Sequence, residues 1–244
     1  VFPGTRTSYV PSAMLVVRTN MLEEAGGFDE AMRYGEDVDM VWRLIQHGHL
    51  VRFEPAAVAH HRNRPSVAAF ARQRFSYGSS AAELSARHGD KVSPLQLPAN
   101  ITMTTLGLLF GGRRLRLVAA AATASSIVAL TRKLIGKVDV PVKEAARLTV
   151  MTHGYAVHGL AAAATRSWAP LLVWTSRSRQ ALAAALVVPA MIDWFRTRPA
   201  NNLVTHTAFR ALDHGSYCAG VWAGVLRSGS VAALLPKVRI GNNS

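Results

Sequence analysis

The chain has 244 residues, which suffices for one large domain or two small ones. Half of the residues are hydrophobic and only 17% are charged, which excludes a disordered tail and an ordinary, heavily charged soluble surface. The formal net charge of +14 admits three kinds of partner: nucleic acid, anionic lipid headgroups or a phosphorylated substrate. Because the sequence has no lysine-rich run and no helix-turn-helix, zinc-finger or RNP-like pattern, it argues against nucleic acid.

Cys218 is the single cysteine, so the chain can form neither an internal disulfide nor a cysteine-based zinc site. A single cysteine fits a reducing compartment, and we expect the protein to be located in the cytoplasm or on the inner face of the cell membrane. The chain begins with Val1 and has no apolar core of signal-peptide type near its start. We therefore expect it to be part of a longer protein.

Residues 1–95 carry both strand and helix patterns. The apolar run 9–17 predicts a buried strand, and Gly26-Gly27 interrupts the chain after it. A helix is predicted from Glu36 to Gly48, because apolar residues recur there at spacings of three and four. Residues 50–53 predict a second strand, and residues 67–88 predict an amphipathic helix.

Residues 96–244 are rich in alanine, leucine and valine and predict a helical region. Residues 117–131 and 181–192 carry no charge, yet both runs are shorter than the roughly 20 apolar residues that a spanning helix needs. Three interpretations stay open: buried helices of a bundle, shallow contact with a membrane, or full spanning. Shallow contact is supported by flanking cations that suit anionic headgroups, namely Arg113, Arg114, Arg116, Arg132 and Lys133.

An acidic cluster gives the strongest indication of chemistry. Glu36, Asp37 and Asp39 lie at the predicted start of a helix, where negative charge is favourable for purely structural reasons. Two further patterns surround the cluster: Gly26-Gly27-Phe28-Asp29-Glu30 precedes it, and a proline followed five residues later by His60 comes after it. The combination favours a functional interpretation.

Segment 26–65 resembles the C-terminal half of the catalytic domain of family 2 glycosyltransferases. Their signature reads approximately GGFDE, then GED-x-D-x-x-x-R, then G, then P-x-x-x-x-H, and each element occurs here in order. The resemblance implies an α/β fold: the C-terminal portion of a GT-A, Rossmann-like domain over residues 1–95, followed by the α-helical, alanine-rich region. It also implies inverting transfer from a nucleotide sugar.

The resemblance assigns roles to the acidic residues and the histidines. Asp37 corresponds to the general base, Glu36 contacts acceptor or donor, and Asp39 is grouped with these binding residues while mainly holding the local structure. His60 matches a histidine beside the divalent metal, Mg or Mn, and His61 is its alternative. The Asp-x-Asp metal motif and the nucleotide-binding strands that come first in the family are absent here, so we expect this chain alone to be inactive.

Three residues of the second predicted helix are further candidates for binding donor or acceptor. Guanidinium groups such as those of Arg72 and Arg74 suit a diphosphate leaving group, although a solvated helix face is the stronger explanation for them. Tyr77 can stack on an acceptor ring or fill the core.

Two later segments resemble the glycosyltransferases of the mycofactocin system, which belong to the same family. Residues 74–88 are similar to their RRxFxYGTSAAxLAxRH stretch, and residues 213–224 to their D-x-x-x-Y-x-x-GVW-x-G ending. This resemblance implies transfer of glucose from a UDP-glucose-like donor to a small peptide-derived redox cofactor, mycofactocin or its precursor.

Other functions stay open. A cell-envelope transferase of family 2 would act on a lipid-linked or polysaccharide acceptor, which the apolar second half favours. A noncatalytic, membrane-associated scaffold could retain a transferase fold, although the intact acidic cluster argues against it. Metal-dependent hydrolysis at the two histidines lacks any HExxH-type spacing.

Overall fold

The structure is a computed structural model and describes residues 14–52, 54, 56–60 and 66–239. Helices dominate the described residues, and the chain divides into two compact units. Unit 1 comprises the described residues up to Ser93 together with Val204–Leu234, and unit 2 comprises Pro94–Leu203 with the described residues from Leu235 onward. The domain boundary predicted at residue 95 lies near the end of the first segment of unit 1. The prediction did not assign Val204–Leu234 to that unit.

Among its described residues, unit 1 contains four α-helices from its first segment and one from its second. They are α1 (Thr19–Glu24), α2 (Glu36–Gln46), α3 (Val67–Ser79), α4 (Ala81–His88) and α9 (Leu203–Ser228). One core cluster joins α4, α9 and the short 3-10 turn Ala232–Leu234 through Ala81, Val221 and Leu234. A second cluster lies under α2 and contains Ala25, Met40, Val41 and Leu44.

The two strands predicted in unit 1 do not form among its described residues. The predicted strand 9–17 lies partly outside the described residues, and its remainder has the alternation of a strand without a partner. Leu15 and Val17 pack towards α2 while Val16 is 89% exposed. Residues 50–52 likewise form no ladder beyond an isolated bridge at Arg52. A strand needs neighbouring strands for stability, so strand-like sequence alone does not produce a sheet here.

The predicted helix 67–88 is present but divided. α3 ends at Ser79, and α4 begins at Ala81. The buried Ser80 lies between them, and its hydroxyl donates a hydrogen bond of 3.0 Å to the carbonyl of Tyr77. A serine that bonds the preceding turn in this way commonly bends or interrupts a helix.

Unit 2 is a helical bundle with a small parallel sheet. Its helices are α5 (Ala99–Phe110), α6 (Arg113–Leu134), α7 (Pro141–Arg166) and α8 (Ser176–Thr197), and β1 (Gln96–Pro98) pairs with β2 (Lys237–Arg239). Helices α5 and α6 are in close contact at Gly107, where an added Cβ would lie 3.0 Å from Cβ of Ala119. The imidazole of His153 on α7 contacts the hydroxyl of Thr105 on α5 at 2.8 Å.

Candidate functional site

The acidic cluster occupies the first turn of α2, as the sequence predicts. Gly35 caps this helix with a φ of +84°, a conformation that glycine adopts readily and other residues rarely. A Cβ on Gly35 would lie 2.9 Å from the hydroxyl oxygen of Ser80 and 3.1 Å from Leu84. The start of α2 therefore lies directly against the junction of α3 and α4.

Asp39 is the buried member of the cluster, with 1% of its surface exposed. Its Oδ2 accepts a hydrogen bond of 2.8 Å from Nε of Arg43, and its Oδ1 lies 2.8 Å from Nε2 of His88. Burial alone would raise the pKa of Asp39, but the hydrogen bonds to His88 and Arg43 outweigh burial and lower it. Asp39 thus connects α2 to the end of α4.

Arg43 also fixes the glycine turn that precedes α2. One guanidinium nitrogen donates to the carbonyl of Ala25, and Nη2 donates to the carbonyl of Gly27 at 2.6 Å. Both Gly26 and Gly27 have positive φ. The rigid guanidinium fork therefore connects Asp39 to the GGFDE element, which explains physically why the two motif elements occur together.

Arg87 gives the cluster a second support. Its Nη1 donates to Oδ2 of Asp29 at 2.6 Å, and the same nitrogen lies 3.7 Å from Oδ1 of Asp39. The pKa of Asp29 is lowered, chiefly by this hydrogen bond, and the pKa of Arg87 is raised for the same reason. The sequence did not single out this network, although the matched segment 74–88 ends in Arg87-His88.

Asp37 and Glu36 are half-buried at the start of α2. Oδ1 of Asp37 accepts a hydrogen bond of 2.8 Å from the backbone amide of Val38. The buried network of Asp39 lies within the same helical turn, so both carboxylates project from a firmly held backbone. Such an arrangement can receive a proton from a bound hydroxyl group.

Tyr34 connects the loop before α2 to α3, and sequence reasoning missed it. A hydrogen bond with Ser76 lowers the pKa of Tyr34, and the positive charges of Arg33 and Arg72 lower it further. Ser76 itself donates to the carbonyl of Arg72 at 3.0 Å. Arg72, a predicted binding residue, is exposed and lies on the part of α3 that Tyr34 reaches.

Arg74 and Tyr77, the other candidates on α3, take part in contacts within unit 1. Arg74 forms an ion pair with Asp213 on α9, and its guanidinium lies 5.6 Å from the ring centre of Tyr77 and 5.8 Å from that of Tyr217. The hydroxyl of Tyr77 accepts a hydrogen bond of 2.7 Å from Gln73, and its ring is 43% exposed. A binding role for either residue stays a prediction.

The two segments that resemble the mycofactocin-system enzymes pack against each other. A Cβ on Gly78 of α3 would collide with the backbone of Tyr217, and one on Gly220 of α9 would collide with the carbonyl of Phe75. A Cβ on Gly224 would lie 2.6 Å from the carbonyl of Ser79. These glycines allow the backbones of α3 and α9 to approach closely, as small residues do in other helix pairs.

The predicted metal ligands receive no support from their surroundings. His60 is exposed in a segment without regular structure, and His61 lies outside the described residues. Across the described part of the chain, no group of three or more His, Cys, Asp or Glu residues could hold a metal ion. The residues that the structure describes therefore do not form a metal site by themselves.

Comparison with known proteins identifies two relatives. The chain is 35% identical to the pre-mycofactocin glycosyltransferase of Mycobacterium tuberculosis strain CDC 1551 / Oshkosh, over 98% of this chain and 53% of the relative. The protein of that name from strain ATCC 25618 / H37Rv gives the same values. The chain thus spans about half the length of the curated relatives it matches.

No family model and no solved structure matches the chain. The two relatives nevertheless confirm the resemblance drawn from segments 74–88 and 213–224. Over 98% of its length, the chain is similar to part of the pre-mycofactocin glycosyltransferase of Mycobacterium tuberculosis.

Proposed function

We propose that the whole protein is an inverting family 2 glycosyltransferase with a GT-A fold. It transfers a hexose, glucose from UDP-glucose, to the peptide-derived redox cofactor mycofactocin or its precursor, and it acts in the cytoplasm. The relation to pre-mycofactocin glycosyltransferases over 98% of this chain carries the proposal. Inversion and fold are inferred from the GGFDE and GED-x-D elements, and the donor is inferred from the resemblance of segments 74–88 and 213–224 to mycofactocin-system enzymes.

Asp37 is the proposed general base. The acceptor hydroxyl gives its proton to the Asp37 carboxylate while its oxygen forms a bond to the anomeric carbon of the hexose. The bond from that carbon to the nucleotide diphosphate breaks, and the diphosphate leaves with the electron pair. A single displacement of this kind inverts the anomeric configuration and needs no covalent intermediate on the enzyme.

The neighbouring residues support this step. The Asp39 network fixes the first turn of α2, so Asp37 and Glu36 keep their positions relative to a bound acceptor. The exposed guanidinium of Arg72 is the candidate for contacting the negative charge that develops on the diphosphate. A divalent Mg or Mn ion would supply further charge neutralisation when bound. The roles of His60 and His61 beside that ion stay predictions.

The first test is a transfer assay with the whole protein, UDP-glucose, a divalent metal and a mycofactocin precursor, with the product detected by mass. We expect a gain of one or more hexoses, and we expect Asp37→Asn to lower the rate by at least about a hundredfold because the proton acceptor is lost while the shape is kept. Asp139→Asn, at an exposed position of unit 2, is the matched control and should leave the rate unchanged. Activity of Asp37→Asn within about tenfold of the wild type would contradict the assignment of the base.

A second candidate function is transfer to a lipid-linked or polysaccharide acceptor of the cell envelope. The many exposed apolar side chains of unit 2, such as Phe110 and Trp174, favour an acceptor at a membrane. The same assay with lipid-linked acceptors separates the two candidates. A noncatalytic scaffold would show neither transfer nor hydrolysis of UDP-glucose with either acceptor.

A further inference from the structure

The helices of unit 2 concentrate their charges at their ends. No charged residue occurs in residues 117–131 of α6, 148–165 of α7 or 180–192 of α8, whereas Lys or Arg residues lie at both ends of all three helices. Residues 94–203 contain thirteen Lys or Arg and three Asp or Glu. An amphipathic helix lying in a membrane plane carries a charged face along its length, which differs from this distribution.

The uncharged middles of these helices are largely exposed. α6 is long and apolar enough to cross a membrane, yet only 6% of its most apolar 18-residue stretch is buried. Leu117 and Val118 are 63% and 64% exposed, and on α7 Val150 and Tyr155 are both 69% exposed. Soluble monomers rarely expose contiguous apolar patches larger than a few hundred Å². Water is therefore an unfavourable environment for this surface.

Hydroxyl groups on the same helices bond to their own backbone. The exposed Ser126 donates to the carbonyl of Ala122 at 3.0 Å, and the exposed Thr152 donates to that of Leu148 at 2.8 Å. These bonds satisfy the hydroxyl protons within the helix, which is what an apolar surrounding requires. The hydroxyl groups of Ser126 and Thr152 are thus compatible with hydrocarbon.

We propose that unit 2 inserts the uncharged middles of α6, α7 and α8 into an anionic lipid bilayer. The cations at the helix ends then lie among the headgroups, where each Lys or Arg is attracted to negative lipid. Arg113, Arg114 and Arg116 form one such group at the start of α6, and all three are exposed. An open cavity of about 510 Å³ lies beside them, lined by apolar residues such as Leu108, Leu117 and Ala120 together with Arg113 and Arg116. The complementary charge selects a lipid surface over a second copy of this basic chain.

The test is vesicle flotation of the whole protein without donor or acceptor. Vesicles of phosphatidylcholine with about one third phosphatidylglycerol should retain the protein even after a wash at about 1 M salt, because salt screens charges but not contact with hydrocarbon. Vesicles of phosphatidylcholine alone should bind it at least about tenfold more weakly. Release of all protein by the salt wash would overturn insertion, and so would its absence from both vesicle fractions.

Paired variants separate insertion from misfolding. Leu117→Asp with Val118→Asp should lower retention by at least about tenfold, since an aspartate in hydrocarbon is costly. Leu226→Asp is the matched control, because Leu226 is a 78% exposed leucine on α9 of unit 1, and it should bind as the wild type does. Equal losses in both variants would overturn the proposal, as would a stable lipid-free oligomer that only the α6 variant dissociates.

A third variant tests the headgroup contact. Replacing Arg113, Arg114 and Arg116 by Gln should lower the ratio of binding to anionic over neutral vesicles by at least about tenfold. Replacing the exposed Arg18, Arg52 and Arg227 of unit 1 by Gln removes the same charge and should leave the preference unchanged. If both triple variants lose the preference equally, general positive charge explains the binding and the assignment to unit 2 is wrong. Binding to vesicles is measured without sugar donor or acceptor, so its outcome is independent of the proposed enzymatic activity.

Discussion

At the scale of single residues, Asp39 is the centre of the acidic cluster although Asp37 is its proposed reactive member. Its carboxylate accepts from Arg43 and contacts His88, and those two residues connect it to the glycine turn and to α4. Breaking a buried ion pair by removing one partner is strongly destabilising, because the remaining charge loses its compensation. We therefore expect Asp39 to act through the position of α2 rather than through contact with a substrate.

Asp39→Asn should lower the free energy of unfolding by roughly 3 kcal/mol at neutral pH. The pKa of Asp39 is lowered in the folded state, so its stabilising contribution is present above the unfolded pKa of about 3.9 and is lost as the pH falls through the lower folded value. The difference between variant and wild type should consequently narrow below about pH 4. Urea denaturation of both proteins at several pH values measures this difference in the free energy of unfolding.

The exposed Glu30 supplies the control for this experiment. Glu30→Gln removes a negative charge from the loop that precedes α2 and should change the free energy of unfolding by less than about 0.5 kcal/mol. If Asp39→Asn were destabilising to the same extent at acid and neutral pH, the loss would come from packing rather than from the charged network.

The sequence predicted part of this site. The start of α2 was predictable because acidic residues, a preceding glycine and regularly spaced apolar residues all act locally. The partner His88 was not, because it lies 49 residues from Asp39 and no local pattern specifies that distant contact. Arg74 illustrates a second difficulty, because it was predicted to bind a ligand but forms an ion pair with Asp213, 139 residues away. A sequence pattern cannot show whether an arginine serves a ligand or another helix.

At the scale of elements, the pairing of α3 with α9 depends on glycine. Gly220→Ala should lower the free energy of unfolding by about 1 to 3 kcal/mol, because the new methyl group collides with the carbonyl of Phe75 and the helices must separate. Gly215→Ala is the matched control on the same helix, since no heavy atom of the described residues lies within 4 Å of its added Cβ. Alanine there should stabilise the helix by up to about 1 kcal/mol.

Thermal unfolding of the two variants measures this contrast. We expect Gly220→Ala to lower the free energy of unfolding and Gly215→Ala to raise it. A loss of stability in both variants would mean that glycine is required at these two positions for reasons unrelated to α3. The contact also explains why the segments around Gly78 and Gly220 occur together in this chain: each supplies the space that the other needs.

The strand predicted at residues 9–17 does not form a sheet among the described residues. Alternation at residues 14–17 is visible in the burial of the side chains, yet the described residues provide no neighbouring strand for a ladder. Alternation reports which side chains face a core, whereas a sheet also requires backbone partners that local sequence does not specify.

At the scale of the whole molecule, unit 1 is assembled from distant parts of the chain. Val221 and Val225 of α9 pack against Ala81 of α4, and α4 in turn contributes His88 to the acidic cluster. A protein shortened to end after Asn202 should therefore lose transfer activity, although every residue of α2, α3 and α4 is retained.

A protein ending after Leu234 is the control, because it keeps α9 and the turn at residues 232–234. It should retain transfer, and its α3 and α4 should resist proteolysis while those of the shorter protein are cut. Full activity of the shorter protein would show that α9 does not support the site.

The late position of α9 also has a consequence for synthesis of the protein. Domains generally fold as units while the ribosome is still translating, but the core of unit 1 needs residues up to Leu234. The nascent chain must therefore produce residues 94–203, which include all four described α-helices of unit 2, before the acidic helix acquires its final support. The apolar helices of unit 2 are therefore synthesised before α9, on which the position of the proposed base Asp37 depends. A nascent chain that stalls within these helices carries an incomplete unit 1.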